Sequence, residues 1–474
     1  MHSLLWLGFR AFIISLVLTP IFRDVFRSYG VVDQPDAARK VHRYPIPRVG
    51  GLAIAISYPV AYVLVRPEGG SPLAQQLSLV WRLLPGAALA FAVGLLDDLF
   101  NLRAWIKLAG QIAAAGLACV GGVRVLSIGG TPTNAWWSIP LTILWLLACM
   151  NAFNLVDGLD GLAAGVGLFA TLTVFAAAMM QHNMVLAVAT FPLAGALLAF
   201  LCYNFNPATI FLGDSGSLLI GFLLGCYAAI WSNKSATLLG MTAPLMALSI
   251  PLLDVALAIV RRFLRRQPIF TADRGHIHHR LLDRGFTPRR VVLMLYGLCG
   301  LAAAFSLLQL VVHSFAGALL LLFGVFVLLG IQYLGYAEFD LAGRLLFSGE
   351  FQRSVSAQLE LRKFRAALAA AGTPAGCWEV IREACGKFGF QQVRLCLAGE
   401  IFEYSADDCG APGWTVRVPL SNGDYAVLAR PFASPVLPMV VAPFVDSLRE
   451  TLVEKFRDAA HEAEGSAAVS LAEQ

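Results

Sequence analysis

About eleven long apolar windows, separated by short polar connections, organise the first two thirds of the chain. They fall near 3–22, 49–65, 81–96, 105–121, 138–153, 162–181, 184–203, 216–231, 241–260, 291–312 and 314–334. A helix crosses the bilayer core with about 20 apolar residues, so each window reads as a candidate span. Arg10 interrupts the first window and must reach the interface or face another helix. Beyond residue 337 the pattern changes. Charged helical stretches at 351–371, 376–388 and 438–462 bracket strand patterns at Gln392–Leu397, Thr415–Pro419 and Tyr425–Ala429. The predicted fold is an all-α polytopic membrane protein with a small soluble α+β C-terminal domain. Its predicted divisions are 1–337 for the membrane domain, 338–460 for the soluble domain and 461–474 for a disordered Ala/Glu/Ser tail.

Composition agrees with the pattern. Hydrophobic residues make up 58% of the 474 positions and charged residues 14%, against about half and a quarter in soluble domains. Mean hydropathy is +0.70. The net charge of +5 is small, and its placement matters more. Arg23, Arg27, Arg39, Lys40, Arg43 and Arg48 follow the first window, and nine arginines between Arg261 and Arg290 follow the ninth. The opposite loops carry only Arg66, Arg82, Arg124 and Lys234. Positive-inside bias then puts the N-terminus outside and the C-terminus in the cytoplasm, across the inner membrane. Basic residues in short interhelical loops are topology signals, and no basic soluble face points to nucleic acid. The nine cysteines lack CxxC spacing and read as free thiols, not as a zinc site. The first window has neither a basic leader nor a small-residue cleavage site, so it reads as a retained span.

Acidic residues are scarce in the membrane part, so their positions carry information. Asp97 and Asp98 end the third window. Asp157 and Asp160 follow the fifth, in Asn151-Ala-Phe-Asn154-Leu-Val-Asp157-Gly-Leu-Asp160-Gly161. Asp214 precedes the eighth, in Gly213-Asp214-Ser215-Gly216. His276, His278 and His279 lie after the ninth. With alternating spans, all fall on the cytoplasmic face, although the windows were placed by apolar content alone. Taken singly, each has a bland reading: a helix-end pair, an Asp-Gly turn, interfacial histidines. Together they gather carboxylates that would repel each other unless a cation or a cation-bearing substrate relieved them. Mg²⁺ is usually held by one or two carboxylates plus substrate phosphates, and histidine and arginine donate to phosphate oxygens. The chemistry indicated is metal-assisted phosphate transfer at a membrane face.

Five ordered stretches over roughly residues 1–335 resemble the polyprenyl-phosphate N-acetylhexosamine-1-phosphate transferases. The first runs from Asp33-Gln-Pro35 through Arg39-Lys40-Val-His42 to Pro47-Arg48-Val-Gly50-Gly51. The second is Gly94-Leu-Leu-Asp97-Asp98 with Lys107-Leu108 and Gln111. The third and fourth are the Asn/Asp-Gly and Gly-Asp-Ser-Gly segments, and the fifth is His276-Ile-His278-His279-Arg280-Leu281-Leu282. The resemblance implies spans around a cytoplasmic cleft, and transfer of a phospho-sugar from a UDP donor to a membrane prenyl phosphate such as undecaprenyl phosphate, with release of UMP. It implies Mg²⁺ or Mn²⁺, with Asp214 as metal ligand and Asp97, Asp98, Asp157 and Asp160 as catalytic carboxylates. Asp33, Lys40, Asn154, Arg274, His276, His278 and His279 are the implied substrate contacts. Whether an aspartate keeps the acceptor deprotonated or attacks covalently stays open. Phosphate is already mostly ionised near neutral pH, since its second pKa is about 6.

The His-Ile-His-His form with Arg274 before it resembles the branch using simple UDP-N-acetylhexosamines, which implies transfer of GlcNAc-1-phosphate at the first membrane step of surface polysaccharide synthesis. The alternative branch takes UDP-MurNAc-pentapeptide for peptidoglycan and tends to adjacent histidines. Thr209 stands where many members carry Lys or Arg. A transporter would place charges at the midplane on broken helices and betray an internal repeat; none is visible here. A homodimer and an unidentified cytoplasmic partner for the C-terminal domain are both compatible with the sequence.

Overall fold

The computed structural model describes residues 2–33, 45–63, 72–125, 127–128, 131–132, 134–232, 246, 248–264, 275–335, 350–406, 412–420, 423–432 and 441–455. The chain divides into two compact units, Met1–Tyr336 and Ala337–Gln474.

The first unit is helical. Its elements are α1 (His2–Ser28), α2 (Gly51–Val63), α3 (Pro72–Phe100), α4 (Ala104–Val120), α5 (Ala135–Val156), α6 (Leu162–Met180), α7 (Met184–Asn204), α8 (Gly213–Ser232), α9 (Ser249–Leu264), α10 (Ile277–Asp283), α11 (Pro288–Val311) and α12 (Ala316–Tyr333). A two-residue antiparallel pair, β1 (Ser127–Ile128) and β2 (Thr131–Pro132), sits between α4 and α5. Among the described residues seven helices are long and apolar enough to cross a membrane: α1, α3, α5, α6, α7, α8 and α11. The shorter apolar helices α2, α4 and α12 fall on predicted windows as well. The window at 241–260 is met by α9, which begins at Ser249; residues 241–245 and 247 lie outside the described residues. The unit is therefore a multi-pass membrane protein.

Burial ranks the helices. The spanning window of α8 is 89% buried, against 33% in α1 and α11. Thus α8 is the central post, packed by α3, α5 and α2, while α1 and α11 lie at the periphery. Leu5, Phe9, Ile13, Val17 and Ile21 repeat every fourth residue on the outer face of α1, and all are exposed. Such a stripe is costly in water and expected against lipid. Trp136 and Trp137, at the start of α5, are exposed too, as interfacial aromatics are.

The second unit holds α13 (Glu350–Ala370), α14 (Pro374–Lys387), β3 (Gln392–Leu397), β4 (Glu400–Ser405), β5 (Gly413–Pro419), β6 (Tyr425–Pro431) and a helix over 441–455. The strands form one antiparallel sheet ordered β4-β3-β6-β5. The strand β4 is absent from the sequence prediction. Its Glu-Ile-Phe-Glu-Tyr run is mostly exposed at a sheet edge, so burial does not print a clear alternation on it. The turn fixes it instead: Ala398 and Gly399 both adopt positive φ, 53° and 83°, the geometry of a tight two-residue hairpin. Val393, Leu395, Leu397, Ala426 and Leu428 bury one face of the sheet. Phe444 is fully buried against it, with ring centroids 4.8, 4.9 and 5.4 Å from Phe364, Phe388 and Phe390. Phe444→Ala should destabilise this unit by about 3–5 kcal/mol. Limited trypsinolysis over a temperature ramp should then cut within 350–455 at lower temperature than in wild type, with α1–α12 unchanged.

Candidate active site

Successive helices joined by short connections run antiparallel, so the C-terminal ends of α3 and α5 meet the N-terminal ends of α4 and α8. Each of those ends carries one polar residue of the site. Asp97 is in the last turn of α3, Lys107 in the first turn of α4, Asn154 in the last turn of α5 and Asp214 in the first turn of α8. The Lys107 ammonium joins them. Its Nζ donates to Asp97 Oδ2 at 2.8 Å and to Asn154 Oδ1 at 3.3 Å, and it also donates to Asp214 Oδ2. Asp97 Oδ1 accepts from the Leu102 N–H at 2.7 Å, which fixes the turn between α3 and α4. Asn154 is fixed in turn, donating to Ser217 Oγ at 3.2 Å. Two carboxylates share one ammonium, leaving the trio with net negative charge. The oxygens of Asp97, Asp214 and Asn154 are hard donors gathered around a cation position. That suits a divalent ion held by few protein ligands plus substrate phosphates. No group of three or more His, Cys, Asp and Glu side chains arranged to hold a metal occurs among the described residues, so any bound ion would draw further ligands from substrate or water.

The other three predicted catalytic aspartates, Asp98, Asp157 and Asp160, make no hydrogen bond to Lys107. Asp98 accepts the Asp214 and Ser215 N–H groups at 2.8 and 2.9 Å, one on each oxygen. It therefore caps α8, where a carboxylate also meets the positive end of the helix dipole. Gly213 must be glycine for this: its φ is +74°, and a Cβ there would run into the Arg48 carbonyl and the Asp98 carboxylate. Asp160 accepts from Asn206 Nδ2 and the Ala208 N–H, both at 3.0 Å, and so anchors the α7–α8 connection. Asp157 caps the end of α5. Burial pushes its carboxyl well above the usual carboxylate range, and the charges of Asp214 and Asp98 push the same way. Asp33 pairs with Ile46 through the backbone, and its carboxylate lies 3.0 Å from Arg48 Nη2. The following segment runs along the α7–α8 connection. Phe211 N–H donates to Pro47, while Gly50 and Gly51 donate to Phe211 and Leu212, at 2.8 to 2.9 Å. Thr209 turns its hydroxyl back onto the Tyr203 carbonyl.

The histidines form a second cluster. His276 precedes α10, with Nδ1 3.0 Å from Asp254 Oδ2, and the Ile277 N–H donates to Asp254 Oδ1 at 2.9 Å. His278 is buried, and burial pulls its imidazole down to about 4, so the ring is neutral near pH 7. A Cβ on Gly158 would lie 2.6 Å from His278 Nε2, so this ring sits directly on the Asp157–Gly161 loop. His279 packs on His278 with centroids 4.3 Å apart. Lys40 and Arg274 lie outside the described residues. Two residues escaped assignment from sequence. Lys107 stands in the second ordered motif, where spacing alone gives it no role. Asp254 lies inside a predicted span, where an acid is itself a signal.

Residues 80–232 match the glycosyl transferase family 4 domain, a stretch that holds the Asp97, Lys107, Asn154 and Asp214 cluster. The chain is 37% identical over 328 residues to a Bacillus subtilis protein named as a probable undecaprenyl-phosphate N-acetylglucosaminyl 1-phosphate transferase, covering 67% of this chain and 88% of that protein. A Mycobacterium tuberculosis protein named decaprenyl-phosphate N-acetylglucosaminephosphotransferase is 35% identical over 339 residues, covering 64% and 81%. An Escherichia coli undecaprenyl-phosphate alpha-N-acetylglucosaminyl 1-phosphate transferase is 30% identical over 305 residues, covering 60% and 78%. The five ordered motifs, the cation-bridged carboxylates at one end of the bundle and these likenesses converge: the chain belongs to the polyprenyl-phosphate N-acetylhexosamine-1-phosphate transferases of glycosyl transferase family 4.

Proposed function

We infer that this enzyme transfers GlcNAc-1-phosphate from UDP-GlcNAc to undecaprenyl phosphate, releasing UMP, at the cytoplasmic face of the inner membrane. The carrying observation is the Lys107 ammonium shared by Asp97, Asp214 and Asn154 at a single end of four helices. The printed names of the relatives support the donor sugar and the lipid acceptor. The apolar windows support about eleven spans, and the lysine and arginine bias of the loops supports a cytoplasmic cleft and C-terminal unit. A lipid-linked sugar ready for extension is a product that suits the first membrane step of surface polysaccharide synthesis.

The prenyl phosphate oxygen attacks the sugar-bearing phosphorus, the bond from that phosphorus to the bridging oxygen breaks, and UMP leaves. The acceptor phosphate needs little help to ionise, so positioning and charge neutralisation carry the rate. Both oxygens of Asp98 are held by backbone N–H groups, and both oxygens of Asp97 are hydrogen-bonded. Asp98 is thereby held at both oxygens by the backbone, which favours direct displacement over a covalent intermediate on that residue. Asp214, Asp97 and Asn154 would hold Mg²⁺ or Mn²⁺. A bound divalent cation supplies charge neutralisation on the diphosphate oxygens. Lys107 holds the carboxylates in register and offers its ammonium to phosphate. Asp98 and Asp160 keep Asp214 and its loop in place. His276, His278, His279 and Arg274 would meet the donor, and Lys40 the phosphates.

Purified protein given undecaprenyl phosphate and a panel of UDP-sugars should release UMP with UDP-GlcNAc. No UMP from any UDP-N-acetylhexosamine would overturn the reading. Asp214→Asn should cut that release by about 10²-fold or more, the scale of a lost electrostatic contact to reacting phosphate.

Lys107→Met should leave Asp97 and Asp214 facing each other without a counter-charge. The pairs are part-exposed, so the loss should fall at or below the lower end of the about 3–5 kcal/mol seen when a buried pair is broken. In thermal melts of detergent-solubilised protein with chelator, Lys107→Met should melt below wild type, and added Mg²⁺ should raise its midpoint more than that of wild type.

A further inference from the structure

Asp254 is a buried acid that the transfer reaction described above does not use. It lies in α9, which packs against α5, and its side chain is 3% exposed. Its two oxygens are divided between a side chain and the backbone of the next segment. Oδ2 lies 3.0 Å from His276 Nδ1, and Oδ1 accepts the Ile277 N–H at 2.9 Å. Seven residues on, two turns along the same face of α9, Arg261 donates to the Gly275 carbonyl at 3.0 Å. One face of α9 thus grips three successive residues, Gly275, His276 and Ile277, at the entry to α10. The grip extends to the loop of the site: the ring of His276 is parallel to that of His278, 6° apart in plane, and His278 rests on Gly158.

A carboxylate on one ring nitrogen decides what the other can do. With Nδ1–H directed at Asp254, the second nitrogen of His276 is Nε2, and among the described residues it has no hydrogen-bond partner. A phosphate oxygen opposite Nε2 would leave the ring between two anionic acceptors, with Nδ1–H on the carboxylate and Nε2–H on the phosphate. A histidine held this way is a preorganised donor for an anionic oxygen. We propose that Asp254 is the positioning residue of the donor site, holding His276 so that Nε2–H meets a phosphate oxygen of the sugar nucleotide. This rests on the transferase reading above.

Asp254→Asn keeps the shape of the side chain but has one acceptor oxygen for the two donors of His276 and Ile277, so the orientation of His276 is lost. The measurement is steady-state UMP release by full-length protein in detergent, with UDP-GlcNAc and undecaprenyl phosphate each varied. Asp254→Asn should raise KM for UDP-GlcNAc about tenfold, equivalent to about 1.4 kcal/mol, and leave KM for undecaprenyl phosphate unchanged. In the His276→Ala background the same substitution should have no further effect, because it acts through that ring. Equal rises in both KM values, or additive effects in the double variant, would overturn the proposal. A second pair tests it without touching Asp254. The glutamine amide nitrogen falls near the place of Nε2, and that of asparagine near Nδ1. His276→Gln should therefore stay within about threefold of the wild-type KM for UDP-GlcNAc, and His276→Asn should rise about tenfold; the reverse order would overturn it. Wild-type protein that releases no UMP would strike the transferase reading itself, whereas wild-type turnover with unaltered variants would strike only the role of Asp254.

Discussion

The shared ammonium of Lys107 is the contact on which the rest of the site depends. Hydrophobic packing in a bilayer is weakly directional, because lipid tails and neighbouring helices are alike in polarity. It sets α8 in the centre but does not fix its rotation to within a hydrogen bond. A lysine that reaches Asp97 on α3, Asn154 on α5 and Asp214 on α8 imposes that precision at one end of the bundle. The contact also explains why the acids can be close at all. Two carboxylates at a part-buried face repel each other unless a cation stands between them, and the protein carries one in its own chain.

Much of this was legible in sequence, for identifiable reasons. The helices printed themselves as apolar windows because lipid-facing and packed positions are both apolar, so even α2 and α4 register despite their length. The common face of Asp97, Asp157, Asp214 and the histidines followed from counting alternations. The strand β4 did not register, because an exposed edge strand is fixed by its turn and by β3, and neither leaves an alternation in its own residues. Nor could spacing separate Asp97 from Asp98. Adjacent residues on a helix differ by about 100° in direction, and only the packing of α3 on α8 decides that one faces Lys107 and the other the backbone of α8. Asp254 stood out as an acid inside a predicted span, but its partner did not, because His276 is 22 residues away across an arginine-rich connection.

The placement of the site at helix ends, and not at the midplane, has a physical consequence for the reaction. A nucleotide donor is too polar to enter hydrocarbon, and a prenyl chain is unstable outside it. A site at the boundary lets each substrate stay in its own solvent and asks only the two phosphates to meet. The N-terminal end of α8 lies there with its first amides taken by Asp98, so its partial positive charge is partly spent before substrate arrives. Among the described residues, the Lys107 ammonium beside Asp214 is a cation placed at that same end.

The aspartates divide by what satisfies them. Asp98 is satisfied by two backbone N–H groups and Asp160 by one backbone N–H and the Asn206 amide, partners that do not leave without unfolding a helix end or a connection. Asp97 and Asp214 are satisfied in part by a lysine side chain, which can swing away on its four-carbon stem. The first kind of partner makes a carboxylate structural. The second kind leaves the carboxylate oxygen accessible whenever the lysine moves. An enzyme that binds charged phosphates and then releases charged products needs ligands of the second kind held in place by ligands of the first. The adjacency of Asp97 and Asp98, one of each, is the shortest way for a single helix end to supply both.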